Sequence, residues 1–556
     1  MLAEGVVRSE ALETRVARID GLDGAELREL LDEASSLAGL REVFHDDYGY
    51  AALRLLADTS DTEARDLVAE SEDALATVRD GLRALSLAVG TRPALAGIPE
   101  LEPYRHWLEH QVARAAARLE PAAERAFAAR TPSAAGAWGR LSQEILTAAS
   151  APLDAGDGEL PHGVVELRML RLHTDRDVRR RADEALFGIY EANVHVAAAC
   201  LDAVVADRLA EDRLRGYDDP MAATLAVDEV DATTVELLLS AVESRTDILT
   251  RWFERKRAAL GVEQIERYDR IAPVGDPPPI SWADAVAATC DVFEGLAPRL
   301  GEVARGIFAD NRVDAERRPG KDGAIFCAGF PPEHGVFVFV SYFESASGAT
   351  MLGHELGHGV HFATAAAARP WLSAFEPETA AFFEVPSTFA ELATAEHLYT
   401  TVGGEGGKAL LRSALEGIFQ LVFGASVMTR FEQDACARRA SGQALTPERI
   451  AEIWRVRDEA VFGRLARPLG VMNAPHAFIA RFYGYQYTYA CLAALGLSVL
   501  RRTDPERFAR DYVGMLEATG TGTPAELLAR CGLDVGDAGV WQQSLAELDR
   551  LCELAW

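Results

Sequence analysis

Apolar residues recur at three- and four-residue steps over most of the chain, which is the spacing of one face of an α-helix. The pattern runs through residues 25–150, as in Glu26-Leu-Arg-Glu-Leu-Leu, and again through residues 175–257. It resumes after Phe343 and continues to the C-terminus. The chain is therefore predicted to be mainly α-helical.

Proline and glycine interrupt this pattern at two main places. Residues 151–163 contain two prolines, three glycines and three acidic residues. They divide the chain into an N-terminal helical region, 1–160, and a larger region, 161–556. The segment Asp276-Pro-Pro-Pro279 cannot be helical, and it precedes a helix predicted to start near Ser281.

A different pattern appears between Ala324 and Phe343. Val336-Phe-Val-Phe-Val340 is rich in β-branched and aromatic residues, which favours one or two strands. Loops are predicted at residues 403–407 and 519–523. The predicted fold class is thus mainly α, with a small β-sheet.

Composition narrows the function further. Apolar residues make up 49% of the chain and charged residues 26%, which is typical of a globular protein. The formal net charge of −30 disfavours binding to nucleic acid or to anionic membranes. The first twenty residues lack the apolar core of a secretory signal, and no apolar run approaches a membrane span, so a cytoplasmic protein is expected. The oligomeric state is not readable from the sequence.

The motif His354-Glu-Leu-Gly-His358 lies in a predicted helix at about residues 350–362. Residues i and i+4 share a face of a helix, so both imidazoles can reach one metal ion, with Glu355 beside them toward a bound water. This is the spacing of a hydrolytic zinc site. The alternative is an ordinary helix with partly exposed histidines.

A catalytic zinc ion normally has three protein ligands and one open position. Spacing alone does not choose the third ligand among the acidic residues downstream, which are Glu376, Glu378, Glu384, Glu391 and Glu396. Glu384 and Glu391 lie two helical turns apart, which suits a ligand and a second carboxylate that orients a ligand imidazole. Pro386 predicts a helix start or a kink between them. His361 shares the face of His354 but is expected behind the ligands or in the core, because a fourth protein ligand would leave no place for water.

Several segments together resemble a known family. His354-Glu-Leu-Gly-His-Gly-Val-His361 and Phe383-Glu-Val-Pro-Ser-Thr-Phe-Ala-Glu391 are similar to the thimet oligopeptidase and oligoendopeptidase F group of zinc peptidases. Arg267-Tyr-Asp269 and Thr523-Pro-Ala-Glu-Leu-Leu-Ala-Arg-Cys-Gly-Leu-Asp534 resemble the oligoendopeptidase F branch. The resemblance is specific from about Tyr268 onward and weak before Asp175.

The resemblance implies a large helical zincin-type peptidase whose small β-sheet lies beside a deep substrate channel. It implies that residues 161–556 form the catalytic region, with one zinc ion per chain. Glu384 is then the third zinc ligand, and Glu391 is the carboxylate that orients a ligand. A narrow channel would confine the enzyme to short peptides.

The segment Phe482-Tyr-Gly-Tyr-Gln-Tyr487 also resembles this family. Tyr485 matches its oxyanion-stabilising tyrosine, and His476 lies near the position of its active-site histidine. Phe482 stands where thimet oligopeptidase has a tyrosine, so Tyr483 and Tyr487 are further candidates for a second donor. Neutral phenol and imidazole donors placed at the carbonyl oxygen stabilise the transition state of amide hydrolysis.

The sequence therefore predicts a zinc-dependent endopeptidase for short peptides, in which Glu355 is the general base toward a zinc-activated water. A specialised processing peptidase for one precursor or leader peptide is an alternative, and a non-catalytic peptide-binding relative is another. The Val336–Val340 strand is either a sheet edge that pairs with an extended substrate or an ordinary buried strand.

Overall fold

The structure is a computed structural model that describes residues 2–38, 46–156, 158–329, 335–369 and 380–556. Within these residues most of the chain is helical, which confirms the predicted fold class. The helices of the first part are α1 (Leu2–Val16), α2 (Gly24–Ala38), α3 (Asp46–Ala57), α4 (Thr62–Gly90), α5 (Arg105–Ala115), α6 (Pro121–Arg130), α7 (Ala135–Ala148), α8 (Val164–Leu170), α9 (Arg176–Arg215), α10 (Ala222–Asp228), α11 (Ala232–Ser244) and α12 (Asp247–Ala259). Those of the second part are α13 (Trp282–Leu296), α14 (Pro298–Ala309), α15 (Ala346–Ala368), α16 (Ala380–Val402), α17 (Gly404–Phe419), α18 (Ala425–Ala440), α19 (Pro447–Phe462), α20 (His476–Ile479), α21 (Tyr483–Thr503), α22 (Pro505–Glu517), α23 (Pro524–Arg530) and α24 (Ala538–Leu554).

Local sequence explains where several of these helices begin and end. The Ser281 side chain caps α13 by accepting a hydrogen bond from the backbone N–H of Asp284, which confirms the predicted helix start. Residues 519–523 separate α22 from α23, as predicted. The predicted loop at residues 403–407 is wrong, because only Gly403 separates α16 from α17.

The glycines of that segment serve close packing instead. A Cβ atom on Gly407 would lie only 2.4 Å from the backbone oxygen of Tyr399. Glycine therefore allows α17 to approach α16 more closely than any larger residue would.

Two small sheets accompany the helices. Residues 151–163, expected only as a break, form most of an antiparallel hairpin of β1 (Ser150–Asp154) and β2 (Glu159–Gly163). The second sheet has the order β3-β5-β4, with β3 (Val313–Asp314) parallel and β4 (Phe326–Gly329) antiparallel to β5 (Val336–Phe339). The interpretation of the Val336 strand as a sheet edge is wrong, because β5 is paired on both sides.

The largest hydrophobic core extends through the chain from Leu153 to Ala555. In this core α16 packs against both α15 and α21, and α21 packs against α24. A separate core, from Leu12 to Leu108, lies among the helices α1, α2, α4 and α5. The division of the chain at residue 160 stays a prediction.

A π-helical turn, Gln420–Gly424, joins α17 to α18 in one long helix. By length and composition alone, this helix and α9 could each cross a membrane. Their most apolar windows are 67% and 44% buried inside the protein, respectively. Because core helices of globular proteins pass the same test, this finding is weak evidence for a membrane span.

Candidate active site

The helix α15 carries His354 and His358 on one face, as the motif predicts. Their ring centroids are 5.1 Å apart, and their side chains are 16% and 13% exposed. The Ser345 side chain caps the start of the helix by accepting a hydrogen bond from the backbone N–H of Gly348. A capped helix, packed on several sides, thus fixes the positions of both imidazoles.

The helix α16 brings Glu384 to these imidazoles. Its Oε2 atom lies 3.3 Å from His354 Nε2 and 3.8 Å from His358 Nε2. The candidate ligand atoms of the three residues all lie within 4.8 Å of one another. Ser387 donates a hydrogen bond to the backbone oxygen of Glu384, one turn earlier, across Pro386, which lies inside the helix and has no N–H to donate.

A second carboxylate on α16 orients the first imidazole. Glu391 Oε2 lies 3.1 Å from His354 Nδ1, so the opposite ring nitrogen, Nε2, faces Glu384. A carboxylate behind an imidazole ligand is a common feature of metal sites, since it fixes the tautomer and the ring orientation. The structure thus brings together the four residues that the resemblance implied.

Of the other acidic candidates, only Glu396 lies among the described residues, and it does not join this group. Glu396 pairs with Arg550 at 2.8 Å. Glu376 and Glu378 lie outside the described residues.

Two glycines that the sequence analysis missed allow α15 and α16 to meet. A Cβ atom on Gly357 would lie 2.6 Å from Ser387 Cα, and one on Gly353 would lie 2.5 Å from Thr394 Oγ1. Side chains at these positions would push α16, and with it Glu384, away from the imidazoles. The sequence did contain a signal for this close approach: the two glycines have the same i, i+4 spacing as the histidines, and each precedes one of them by one residue.

Electrostatics link the imidazoles to the carboxylates. Burial favours the neutral imidazole of His354, but its hydrogen bonds to Glu384 and Glu391 outweigh burial and raise its pKa to about 10. Burial, with a smaller contribution from the neighbouring His354 cation, lowers the pKa of His358 to about 4. Since a metal cation competes with protons for the same nitrogen atoms, a site with this charge pattern favours a cation.

Glu355 lies next to the first imidazole in the sequence and is 5% exposed. Its Oε2 atom has no hydrogen-bond partner among the described residues. Burial raises the pKa of this carboxyl to about 7, with smaller opposing effects from the surrounding charges. A carboxyl group of this kind can accept and release a proton near neutral pH.

An aromatic cluster formed by His476, Tyr483 and Tyr487 lies near the metal-binding group. The His476 ring stacks on Tyr483 with centroids 4.9 Å apart, and Tyr487 meets Tyr483 edge-on, also at 4.9 Å. Burial is the main cause that raises the pKa of both phenols, and the Glu384 carboxylate contributes to both shifts. Burial lowers the pKa of His476. The cluster therefore presents neutral donors on α21, the helix that packs against the Glu384 helix α16.

Tyr485, the predicted oxyanion donor, lies apart from this cluster. This side chain is completely buried, and its hydroxyl donates a hydrogen bond to Asp228. Gln486 donates to the same carboxylate oxygen at 2.7 Å. Because residues two apart on a helix point to opposite sides, Tyr485 faces away from the side that carries Tyr483 and Tyr487.

His361 belongs to the core. It is completely buried, and its Nε2 atom lies 2.8 Å from Thr519 Oγ1. Its ring packs against Phe362, Phe382 and Phe383. Burial lowers its pKa to about 3. Because its Nε2 atom contacts Thr519, His361 does not join the group of candidate ligands.

Comparisons with known proteins agree with this geometry. The family model described as Peptidase family M3 matches residues 295–547, and the model described as Oligopeptidase F matches residues 93–148. An oligoendopeptidase F homolog of Lactococcus lactis subsp. lactis (strain IL1403) is 25% identical over 411 residues, which are 71% of this chain and 67% of the relative. The match at residues 93–148 extends the likeness upstream of Asp175, where the sequence analysis found it weak.

Solved structures share the fold over nearly the whole chain. A protein of Chlamydophila abortus described as a peptidase superimposes with a TM-score of 0.83 at 20% identity, over 96% of this chain and 91% of that one. Oligoendopeptidase-F from Enterococcus faecium gives a TM-score of 0.70 at 19% identity, over 100% and 97% of the two chains. At these identities the likeness establishes the fold.

The site geometry, the family models and the curated relatives lead to the same assignment. The chain belongs to peptidase family M3, in its oligoendopeptidase F branch, and is a metallo-oligopeptidase.

Proposed function

We propose that this protein is a zinc-dependent endopeptidase that hydrolyses internal bonds of short peptides, with one zinc ion per chain bound by His354, His358 and Glu384. Two imidazoles and one carboxylate are a frequent ligand set of catalytic zinc and leave one position for water or substrate. The observation that carries the proposal is the grouping of three candidate ligand atoms within 4.8 Å.

Bound zinc would lower the pKa of a coordinated water and polarise the scissile carbonyl. Glu355 would accept the proton of the attacking water and pass it to the departing amine. Its buried Oε2 atom, which has no hydrogen-bond partner among the described residues, is free for this role. The Glu391 carboxylate would hold His354 in the tautomer that binds metal through Nε2.

The oxyanion that develops during hydrolysis needs donors on the substrate side of the metal. Tyr483 and Tyr487 suit this role better than Tyr485, because the charge of Glu384 acts on both of their phenols, whereas the Tyr485 hydroxyl is bonded to Asp228. His476 stacks on Tyr483 and would limit its movement. Preorganised donors of this kind stabilise the transition state more than the ground state.

An extended peptide would have a sheet edge available. β4 pairs with β5 on one side, and within the described residues no strand pairs with its other side. β4 also packs against α15, the helix of the two histidines. Main-chain hydrogen bonds to such an edge would hold peptides with little dependence on their sequence.

The decisive experiment is to incubate a mixed peptide pool with the zinc-loaded protein and with Glu355→Gln, and to identify the products by mass spectrometry. The variant should retain zinc but lose nearly all hydrolysis, because an amide cannot accept the proton. Near-native turnover by the variant would remove Glu355 from the mechanism. Cleavage of one sequence only would favour a processing peptidase, and binding without cleavage by the unaltered protein would favour a non-catalytic relative.

The ligand assignment has its own test. Glu384→Ala should lose most of the bound zinc, because two remaining ligands bind metal weakly. Glu396→Ala on the same helix is the matched control and should retain it, since that carboxylate pairs with Arg550. Zinc content of both variants is measured by elemental analysis after dialysis. Equal zinc content in the two variants would contradict the assignment.

A further inference from the structure

His476 and Tyr487 form part of the wall of a cavity of about 340 Å³. This volume is within the range of small-molecule binding sites, roughly 300–1,000 Å³. The π-helical turn contributes Gln420, Leu421 and Gly424 to the wall. Such turns inside long helices occur frequently at functional sites. The aromatic cluster near the metal-binding group thus also borders a second space.

The charged residues of this cavity are unbalanced. Three arginines, Arg171, Arg270 and Arg467, line it together with a single carboxylate, Asp458. Arg171 is 2% exposed and Arg270 is 6% exposed. Arg270 lies 3.6 Å from the Asp458 carboxylate and 3.5 Å from the centroid of the Phe462 ring. The wall therefore holds one buried carboxylate against two buried arginines and the half-buried Arg467.

Carboxylates behind the wall are already paired. Asp183 lies 3.1 Å from Arg171 and 2.6 Å from Arg267, so two arginines share it. Glu416, whose negative charge also influences the pKa of Arg270, pairs with Lys256 at 2.6 Å. Neither group has a spare negative charge for the rest of the cavity.

Of the three arginines, Arg467 has the fewest partners for its side chain among the described residues. Its backbone N–H donates to Asp458, but its side-chain Nε and Nη2 atoms are buried with no acceptor among the described residues. The same holds for Nη2 of Arg171. A guanidinium group keeps its charge in proteins, and a buried charge without a partner destabilises the fold. Burial first, and then the charges of Arg270 and Arg171, lower the pKa of Arg467 well below its ordinary value.

We infer that this cavity is a subsite for a carboxylate of the peptide, held by Arg467 together with Arg171 and Arg270. The inference rests on the proposed function, because the carboxylate belongs to the substrate. Arginine suits the task, since its planar group donates two parallel hydrogen bonds to a carboxylate. The source is the free C-terminus of a short peptide, because every substrate of this class carries one, whatever its sequence. The enzyme would then select peptides whose C-terminus lies at a set distance from the scissile bond.

The test uses one fluorogenic heptapeptide in three forms: the free acid, the C-terminal amide, and an amide with glutamate as its last residue. The unaltered protein should cleave the acid with a kcat/KM at least about tenfold above that of the amide, the effect of one charge-assisted hydrogen bond pair. Arg467→Gln should lower the kcat/KM for the acid to nearly the value for the amide. The variant retains the backbone N–H that binds Asp458. Arg464→Gln, at a side chain that is 48% exposed three residues earlier, is the control and should preserve the ratio.

Each outcome has a definite meaning. Equal cleavage of acid and amide by the unaltered protein would overturn the inference and leave the proposed function intact. If the glutamate amide regains the rate of the acid, the subsite stands and also accepts an acidic side chain.

Binding of the acid and amide is measured separately by calorimetry with the unaltered protein. No cleavage of any form, together with tighter binding of the acid, would refute the proposed function and retain the subsite. If Arg467→Gln is misfolded by circular dichroism, Arg467→Lys replaces it, and an unchanged acid-to-amide ratio in that variant would overturn the bidentate arginine contact.

Discussion

Gly357→Ala is the substitution that most directly tests how the metal-binding group is assembled. Gly357 lies between the two histidines of the motif, and it contributes no ligand atom. A Cβ atom at this position would lie 2.6 Å from Ser387 Cα, 3.0 Å from Ala390 Cβ and 3.0 Å from the backbone oxygen of Pro386. Since non-bonded carbon atoms prefer about 3.5–4.0 Å, α16 would have to move away from α15 by about 1 Å.

Two opposing effects set the change in stability. Overpacking in a tight core costs about 1–3 kcal/mol. Alanine in a helix is more favourable than glycine by up to about 1 kcal/mol. The net loss in the free energy of unfolding is therefore expected at about 1–2 kcal/mol, which the fold can tolerate.

The relative change in zinc affinity should be larger than the relative change in the free energy of unfolding. Ser387 lies one turn beyond Glu384, so a shift of α16 moves that carboxylate as well. Zinc sites tolerate deviations of only about 0.2 Å in ligand distance. We expect zinc affinity to fall by about 10–100-fold, the range seen when the partners that orient a ligand are disturbed.

The assay is a competition titration of zinc against a chelator, combined with urea unfolding of the same samples. Gly306→Ala in the neighbouring helix α14 is the matched control, because a Cβ atom there meets nothing within 4 Å. This control should bind zinc normally and gain about 0.4–1 kcal/mol in stability. Unchanged zinc affinity in Gly357→Ala, with the control behaving as expected, would refute the reasoning that helix contact sets the site geometry.

Two further predictions concern residues around the metal-binding group. Tyr487→Phe should lower kcat about 10²–10³-fold with little change in KM. Tyr485→Phe should mainly lower the unfolding free energy, by about 1–3 kcal/mol, because it removes one of the hydrogen bonds to the buried Asp228 carboxylate. The reverse pattern in kinetics and thermal unfolding would restore the role first assigned to Tyr485. Glu391→Gln should weaken zinc binding about 10–100-fold in the same competition titration, because the amide holds His354 less strongly, and unchanged affinity would contradict that orienting role.

The sequence alone predicted the parts of the site that depend on local geometry. His354, Glu355 and His358 lie within two turns of one helix, so their relative positions follow from the helical repeat. Glu384 could not be chosen in this way. It lies on another helix, and its distance from the imidazoles depends on how closely α16 approaches α15. Only the resemblance to a family identified it among five acidic candidates.

The points that the sequence could not decide share a physical origin, since each depends on packing between elements. The repeat of α21 places Tyr483 and Tyr487 on one face and Tyr485 on the other, but only the packing of the helix decides which face meets Glu384. The glycines at residues 403–407 looked like a loop because their contact with α16 is invisible in the sequence. The sequence left open whether β5 is an edge or a buried strand, because β3, a strand of two residues, carries too little pattern to be predicted.

The metal-binding group and the inferred carboxylate subsite lie on different kinds of structural element. The metal-binding group and its tyrosines lie on α15, α16 and α21, and α16 packs against both of the other helices, so their geometry is set by helix contacts. The three cavity arginines instead follow the ends of short helical segments: Arg171 follows α8, Arg270 follows the turn at residues 267–269, and Arg467 lies two residues beyond the turn at residues 463–465. Loops on a rigid scaffold can change specificity without moving the catalytic groups. Substitutions at these arginines should therefore alter which peptides are cleaved while leaving zinc content unchanged, and this separation distinguishes a specificity role from a general loss of structure.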